Sequence, residues 1–391
     1  MNKALTKTAN KIRILPLTLI IFLILNFSEL NGQLRIKAVG DIMLGSVTPK
    51  EILPPDSGKE FVSSIGNLLS NADIVFGNLE GAIINDEMEP QKCSDRSRNA
   101  GTCYEFGMPE YLVPVLKELG FNVLNQDNNH SEDYGEEGYR FTQQKLREIG
   151  IKFMPKQGYV EFTFANKHVA VAAFGYSGNS NNISDLANAE RIILGLKKKY
   201  DIVIASFHGG AEGKNATHVN DTTEIFLGEN RGNVYKFAHT VIDAGADLVI
   251  GHGPHVLRAM EIYKNKLIAY SLGNFLTYGN MNISGITGLN VILEAELNLV
   301  NGDFVGGRLI PIEQTGYGIP TFDSNYTSVT NICELISEDF RHPQIIILND
   351  GRIVNAEIQI SVPKFLAEGI KLPTIPVTME NVNVSYEKII F

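Results

Sequence analysis

Asp41, Asn78, Glu80, Asn129, His130, His208, His252 and His255 share a position in the local pattern: each lies where a short apolar run ends. Gly40-Asp41 closes Arg35 to Val39, and Gly77-Asn78-Leu79-Glu80-Gly81 closes Ala72 to Phe76. Asn128-Asn129-His130 comes soon after Phe121 to Leu124, and Phe207-His208-Gly209-Gly210 ends Asp201 to Ser206. Gly251-His252-Gly253-Pro254-His255 ends Gly245 to Ile250. Two histidines entering a Gly/Pro turn have no obvious packing role. Carboxylates, amides and imidazoles together suit first-row divalent metals such as Mn, Fe or Zn. No thiolate belongs to the set, which excludes a structural Cys-zinc site. Each residue also has an ordinary use: an Asp after Gly caps a turn, an Asn pair builds one, and a strand-end His is hydrogen-bonded core. Only their shared placement points to a site.

The elements that position them alternate. Apolar runs at Arg35–Val39, Ala72–Phe76, Phe121–Leu124, His168–Phe174, Asp201–Ser206 and Gly245–Ile250 read as strands. Between them, helices are expected near Lys59–Ser70, from Pro109 to Gly120, and over Gly135–Gly150, Ala187–Lys199 and Gly232–Ala244. The runs show little polar alternation, so these strands are buried on both faces, as in a helix-covered sheet. The class is α/β. In such sheets ligands bind outside the carboxyl ends of the strands, which places all the candidate residues on one rim. Later the rhythm changes to hairpins around Lys264-Asn265-Lys266, Asn301-Gly302-Asp303 and Asn349-Asp350-Gly351.

Bulk properties narrow the function. A net charge of −10, without a dense Lys/Arg run, argues against nucleic acid as the main partner. Lys3, Lys7, Lys11 and Arg13 precede the apolar stretch Ile14 to Phe27. This reads as an export signal over 1–32, since the stretch falls short of the roughly 20 residues a spanning helix needs. An uncleaved membrane anchor is the alternative. The expected location is periplasmic or cell-surface. Export permits disulfides, and Cys93 with Cys103 is read as a staple across a polar loop, a metal role being the alternative; Cys333 is left as a buried free thiol. The main domain is expected over 33–325, with 326–391 an appended, β-containing segment.

The ordered series Gly40-Asp41, Gly77-Asn78-Leu79-Glu80-Gly81, Asn128-Asn129-His130 with Asp133-Tyr134-Gly135, His208, Asp243 to Asp247 with Gly251 to His255, and Tyr270 to Phe275 resembles the CapA family. These are capsule and poly-γ-glutamate biosynthesis proteins, similar to calcineurin-like metallophosphatases. The resemblance covers roughly Arg35 to Phe322. It implies a β-sandwich flanked by helices in α/β/β/α layers. It also implies metal ligation by Asp41, Asn129, His208 and His252, and protonation of a leaving group by His130, with Asp133 orienting that ring. Three departures stand out. Met43 replaces a histidine, Asn78 replaces the bridging Asp with Glu80 as the nearby carboxylate, and Gly253-Pro254 separates His252 from His255. One metal, or an asymmetric pair, is therefore expected from Asp41, Asn78, Glu80, Asn129, His208, His252 and His255. Glu212 either holds a water or a histidine there, or lies at the surface.

The resemblance implies an exported metal-dependent hydrolase of a phosphate-containing small-molecule or lipid-linked substrate. The alternatives are a non-hydrolytic factor that assembles or exports an anionic polymer with membrane-associated machinery, and hydrolysis of a γ-glutamyl amide. An anionic polymer needs a basic groove, for which Arg231, Arg258 and Lys264 are the candidates near the closing motifs.

Overall fold

A computed structural model describes residues 32–356. The expected export signal, but for its last residue, and residues 357–391 of the appended segment lie outside the described residues. The strands and principal helices run in the order β1 (Gln33–Met43), β2 (Ile74–Leu79), β3 (Val123–Asn125), α1 (Gly135–Glu148), β4 (Lys152–Met154), β5 (Tyr159–Phe164), β6 (Lys167–Gly175), α2 (Leu186–Lys197), β7 (Ile202–His208), α3 (Val234–Asp243) and β8 (Leu248–His252). Then follow β9 (Met260–Tyr263), β10 (Lys266–Ala269), β11 (Asn274–Thr277), β12 (Leu289–Asn298), β13 (Phe304–Thr315), β14 (Ile319–Phe322), α4 (Thr327–Asp339), β15 (Ile345–Ile347) and β16 (Arg352–Asn355).

These strands form two large sheets; Ala82–Ile84 with Gly107–Pro109, and Ile225–Phe226 with Glu229–Asn230, make two further short pairs. The first large sheet has the order β15-β16-β13-β12-β1-β2-β3-β4, with β11 beside the end of β1 and β14 on β13; the second is β9-β10-β8-β7-β6-β5. Leu34, Ile36 and Ala38 of β1 and Phe76 of β2 pack on Val171, Ile204 and Val249 of the second sheet. Fully burying one such side chain is worth about 1.5–3 kcal/mol. On the outer face of the first sheet, Val39, Val75 and Leu124 meet Phe61, Leu116 and Leu146 from the helical layer. On the outer face of the second, α3 presents Val234, Phe237, Val241 and Ile242, spaced for one helix face. The α/β/β/α layering is thus present.

Some elements depart from the sequence pattern. The helix expected at Lys59–Ser70 is a single turn, Lys59–Val62, followed by a 3-10 turn. Ser63 Oγ donates to the Glu60 carbonyl at 2.9 Å, the back-bonding that bends helices. Pro114 restarts the next one as Pro114–Glu118. The turn at Lys264 and Asn265 has positive φ at both residues, which suits the twist of the β9–β10 hairpin. In the appended segment, β16 pairs with β13, and Val329 and Ile332 of α4 join the core. Cys93 and Cys103 form the disulfide, and Cys333 is a half-buried free thiol.

Candidate metal centre

Strand register sets the site. Asp41 on β1 stands opposite Asn78 on β2 and Asn274 on β11, and Asn78 stands opposite Asn125 on β3. On the second sheet His252 stands opposite His208. Both rows lie at carboxyl ends of parallel strands, the place expected of a ligand site. The β1–β2 register slips between Ala38 and Asp41, and such irregularities re-aim a side chain. A Cβ on Gly40 would lie 1.8 Å from the Gly273 carbonyl, so glycine is required for the loop to approach β1 there. Gly253 has φ +111°, and a Cβ on it would crowd His208 Nε2 at 3.2 Å. His255 follows with φ +57°, a strained backbone for a non-glycine residue of the kind that clusters at functional sites.

Asp41, Asn78, Glu80, His208 and His252 are buried, and His255 is nearly so. Ligand atoms of Asp41, Glu80 and His208 lie within 4.8 Å of one another. His255 Nδ1 is 3.0 Å from Asp41 Oδ2, and its Nε2 is 3.5 Å from Glu80 Oε1. His252 Nδ1 is 3.7 Å from Asp41 Oδ1. Buried polar groups are normally hydrogen-bonded. Here Asp41 Oδ2, Glu80 Oε1, Asn129 Oδ1, His208 Nε2 and both His252 nitrogens are buried and have no hydrogen bond. Carboxylate, amide and imidazole lone pairs of these types hold a divalent cation, the His252 ring offering one of its two nitrogens, and their unmet demand fits one.

Charge follows the same logic. Burial pushes Asp41 up, but the His255 ring, whose Nδ1 is 3.0 Å from Oδ2, and the charges of His252 and His208 outweigh it and lower it to about 2. Burial raises Glu80 well above the usual carboxylate range, Asp41 adds to this, and His255 opposes it. Burial lowers His252 to about 4 and His208 well below the ordinary histidine value, so both keep lone pairs at neutral pH. For His255 burial acts downward, but Glu80 and Asp41 raise it well above that value.

Asn78 requires a correction. It was expected among the metal ligands, but its oxygen accepts from Asn125 Nδ2 at 3.0 Å and Asn128 Nδ2 at 3.1 Å. Both donors are fixed by backbone. Asn125 accepts from Asp127 N and donates to the Asp127 carbonyl; Asn128 accepts from His130 N and donates to the Leu79 carbonyl. The Asn78 NH₂ group must therefore face the site, 2.8 Å from Asp41 Oδ1 and 3.4 Å from Glu80 Oε2. An amide nitrogen is a donor and ligates no cation. Met43 likewise brings no ligand, since it packs in the apolar cluster with Ile42 and Phe275.

Beside this cluster, His130 Nδ1 is 2.7 Å from Asp133 Oδ2. The Phe106 N–H donates to the same oxygen, and Lys92 Nζ is 3.0 Å from Asp133 Oδ1. Lys92 also donates to the Asn129 carbonyl at 2.9 Å. Asn129 and Lys92 line a cleft of about 430 Å³ with Tyr176, Ser177, Asn182 and Glu229.

The profile of the family described as "Bacterial capsule synthesis protein PGA_cap" matches residues 35–278. The chain belongs to that family. Among curated relatives, this PGA_cap protein is 27% identical over 267 residues to the capsule biosynthesis protein CapA of Bacillus anthracis, covering 63% of this chain and 60% of the relative. It is 30% identical over 258 residues to the PGA biosynthesis protein CapA of Bacillus subtilis (strain 168), covering 61% and 62%. A relative in Mycobacterium tuberculosis (strain CDC 1551 / Oshkosh), named probable polyglutamine synthesis accessory protein, is 25% identical over 308 residues, covering 68% and 73%. The alignments span about three-fifths of the two CapA proteins.

The roles of several residues of this PGA_cap protein are not legible in its sequence. Asn125 and Asn128 orient Asn78, and the polar run after Leu124 was their signal. Asn274 Oδ1, 3.1 Å from His255 Nδ1, belongs to the Tyr270 to Phe275 motif, whereas nothing in the sequence marks Lys92. The basic-groove expectation is corrected. Arg231 pairs with Glu212 and Glu229, Arg258 is buried on Glu224, and Lys264 pairs with Asp243. Glu212 is thereby held by Arg231 at 2.6 Å. His218 bonds Asp339, and no bond links it to the cluster among the described residues.

Proposed function

We propose that this chain is an exported, metal-dependent hydrolase acting on a phosphate ester or phosphodiester in capsule or poly-γ-glutamate assembly. The substrate class is a small or lipid-linked phosphate compound. The observation that carries this reading is the set of buried, unsatisfied lone pairs on Asp41, Glu80, His208 and His252. A divalent ion held there supplies Lewis acidity and lowers the pKa of a water. Manganese, iron and zinc all accept such donors.

The chain's own residues supply the rest. Asp133 holds His130 at Nδ1, which leaves Nε2 as the atom to pass a proton to a leaving oxygen. Lys92 and the Phe106 N–H fix Asp133, so the ring keeps one orientation. Tyr176, Ser177 and Asn182 give the adjacent cleft polar walls, with Lys92 and Glu229 as its charged members. Among the described residues no helix is long and apolar enough to cross a membrane, and export rests on the N-terminal pattern alone.

One observation favours a second reading. Met43 and the Asn78 NH₂ group replace two ligands of the phosphatase pattern, as in a polymer-assembly factor that binds metal without hydrolysis. A single assay separates the readings. The full chain is purified, its metals are quantified, and a generic phosphodiester is offered with added Mn(II). Hydrolysis that disappears with the metal in His208→Ala and His252→Ala, and disappears with metal retained in His130→Ala, supports the hydrolase. Metal binding without turnover of the diester or of a γ-glutamyl peptide supports the assembly factor.

A further inference from the structure

We infer that the site holds a single divalent cation, and that the Asn78 amide occupies the position where a second cation would need an anionic bridge. This rests on the metal-centre reading and not on the hydrolase reading.

The two buried carboxylates are bracketed from two directions. Asn78 Nδ2 lies 2.8 Å from Asp41 Oδ1 and 3.4 Å from Glu80 Oε2. His255 lies 3.0 Å from the other Asp41 oxygen and 3.5 Å from the other Glu80 oxygen. The oxygens facing Asn78 are thus used by an amide donor. The opposite pair, Asp41 Oδ2 and Glu80 Oε1, remain without hydrogen bonds, as does His208 Nε2, which is 3.9 Å from Glu80 Oε1. Asp41, Glu80 and His208 bring ligand atoms within 4.8 Å of one another, a donor set for one ion, whereas His252 stands on the Oδ1 side of Asp41, its Nδ1 3.7 Å from that oxygen.

The amide cannot rotate to offer its oxygen. Asn125 and Asn128 both direct NH₂ groups at it, and each is locked by hydrogen bonds to backbone at its other atoms. Turning Asn78 over would set three NH₂ groups against one another and leave Asp41 Oδ1 without its donor. Charge agrees with the count. Asp41 and Glu80 are the carboxylates of the cluster, and His255 already faces both, at 3.0 Å and 3.5 Å. A second ion would bring two further positive charges into a buried site beside His208 and His252, with no anion to offset them.

The test is metal stoichiometry with a spectroscopic check. The full chain is stripped with chelator, reloaded with Mn(II) and desalted; metal per folded chain is measured by mass spectrometry, and the Mn(II) electron paramagnetic resonance spectrum is recorded. Wild type is expected to hold one Mn(II) per chain with an uncoupled six-line spectrum. Asn78→Asp, which restores an anion between Asp41 and Glu80, is expected to raise the ratio to two and give an exchange-coupled spectrum. Asn78→Ala, which removes the donor without adding charge, is expected to stay at one. Two coupled ions in wild type would overturn the inference, as would a folded Asn78→Asp that still holds one. Because the wild-type ratio decides by itself, misfolding of the variant leaves the test intact. No bound metal in wild type would instead overturn the metal-centre reading.

Discussion

The rims of the two sheets bring different chemistry to one place. On the first, Asp41, Asn78 and Asn125 sit in register and form a hydrogen-bonded chain that ends on backbone. On the second, His208 and His252 sit in register, and neither His252 nitrogen nor His208 Nε2 has a hydrogen bond. The Asn78–Asn125 part of the first rim is internally satisfied and fixes geometry; Asp41 Oδ2 and the histidine rim are held open, at a cost in folding that a bound ligand offsets. The difference predicts that changes on the histidine rim act on metal, whereas changes in the amide chain act first on stability.

The largest effect belongs to the histidines. His252→Ala or His208→Ala is expected to weaken Mn(II) binding by more than roughly 100-fold, beyond the range for losing an outer partner of a ligand. The same substitutions should abolish the gain in Tm on adding metal, which in wild type corresponds to about 2.7 kcal/mol at 100 times Kd. A differential scan with and without Mn(II) reads both. Equal metal-induced shifts in wild type and variants would erase the contrast between the rims.

The second effect depends on pH. His252 in the folded apo chain takes up its proton near pH 4, whereas the unfolded chain does so near 6.5. Between these values the unfolded state binds more protons, so this contribution is full above pH 6.5 and is lost as pH falls through 6.5 toward 4. A shift of this size corresponds to about 3 kcal/mol. Urea midpoints of apo wild type minus apo His252→Gln, measured from pH 7 to 4, are expected to show that slope. A flat difference would mean that the imidazole is solvated.

The amide chain comes third. Asn128→Ala removes a donor from the Asn78 oxygen and from the Leu79 carbonyl, both buried. The expected loss is about 1–3 kcal/mol of stability by urea titration, with about a 10-fold weaker metal site. The smallest effect is Tyr176→Phe. Its hydroxyl is buried without a partner, so its removal is expected to change stability by less than about 0.5 kcal/mol and leave metal content intact.

Much of this was legible because strand ends announce themselves. The short apolar runs closed by Asp41, Asn78, His208 and His252 fixed the class, the rim and most of the cluster. What stayed hidden depends on contacts between distant segments. The β5 run Tyr-Val-Glu-Phe-Thr-Phe is a half-exposed edge strand without an apolar block. α4 begins Thr-Ser-Val-Thr, and such β-branched residues blur a helical signal even though Val329, Ile332 and Ile336 recur at helical spacing. The orientation of Asn78 was out of reach, because it is decided by two amides from another strand end and by the backbone bonds that hold them. The role of Lys92 was equally remote, since it meets Asp133 from the start of the disulfide loop.

The central claim is that the two rims together form a divalent-metal centre, and its most direct test is calorimetric titration of Mn(II) into the chelator-stripped full chain. Saturable binding in wild type that vanishes in both His208→Ala and His252→Ala, with each variant folded by circular dichroism, is the predicted result. No binding by wild type, or binding undiminished in the two variants, would contradict it.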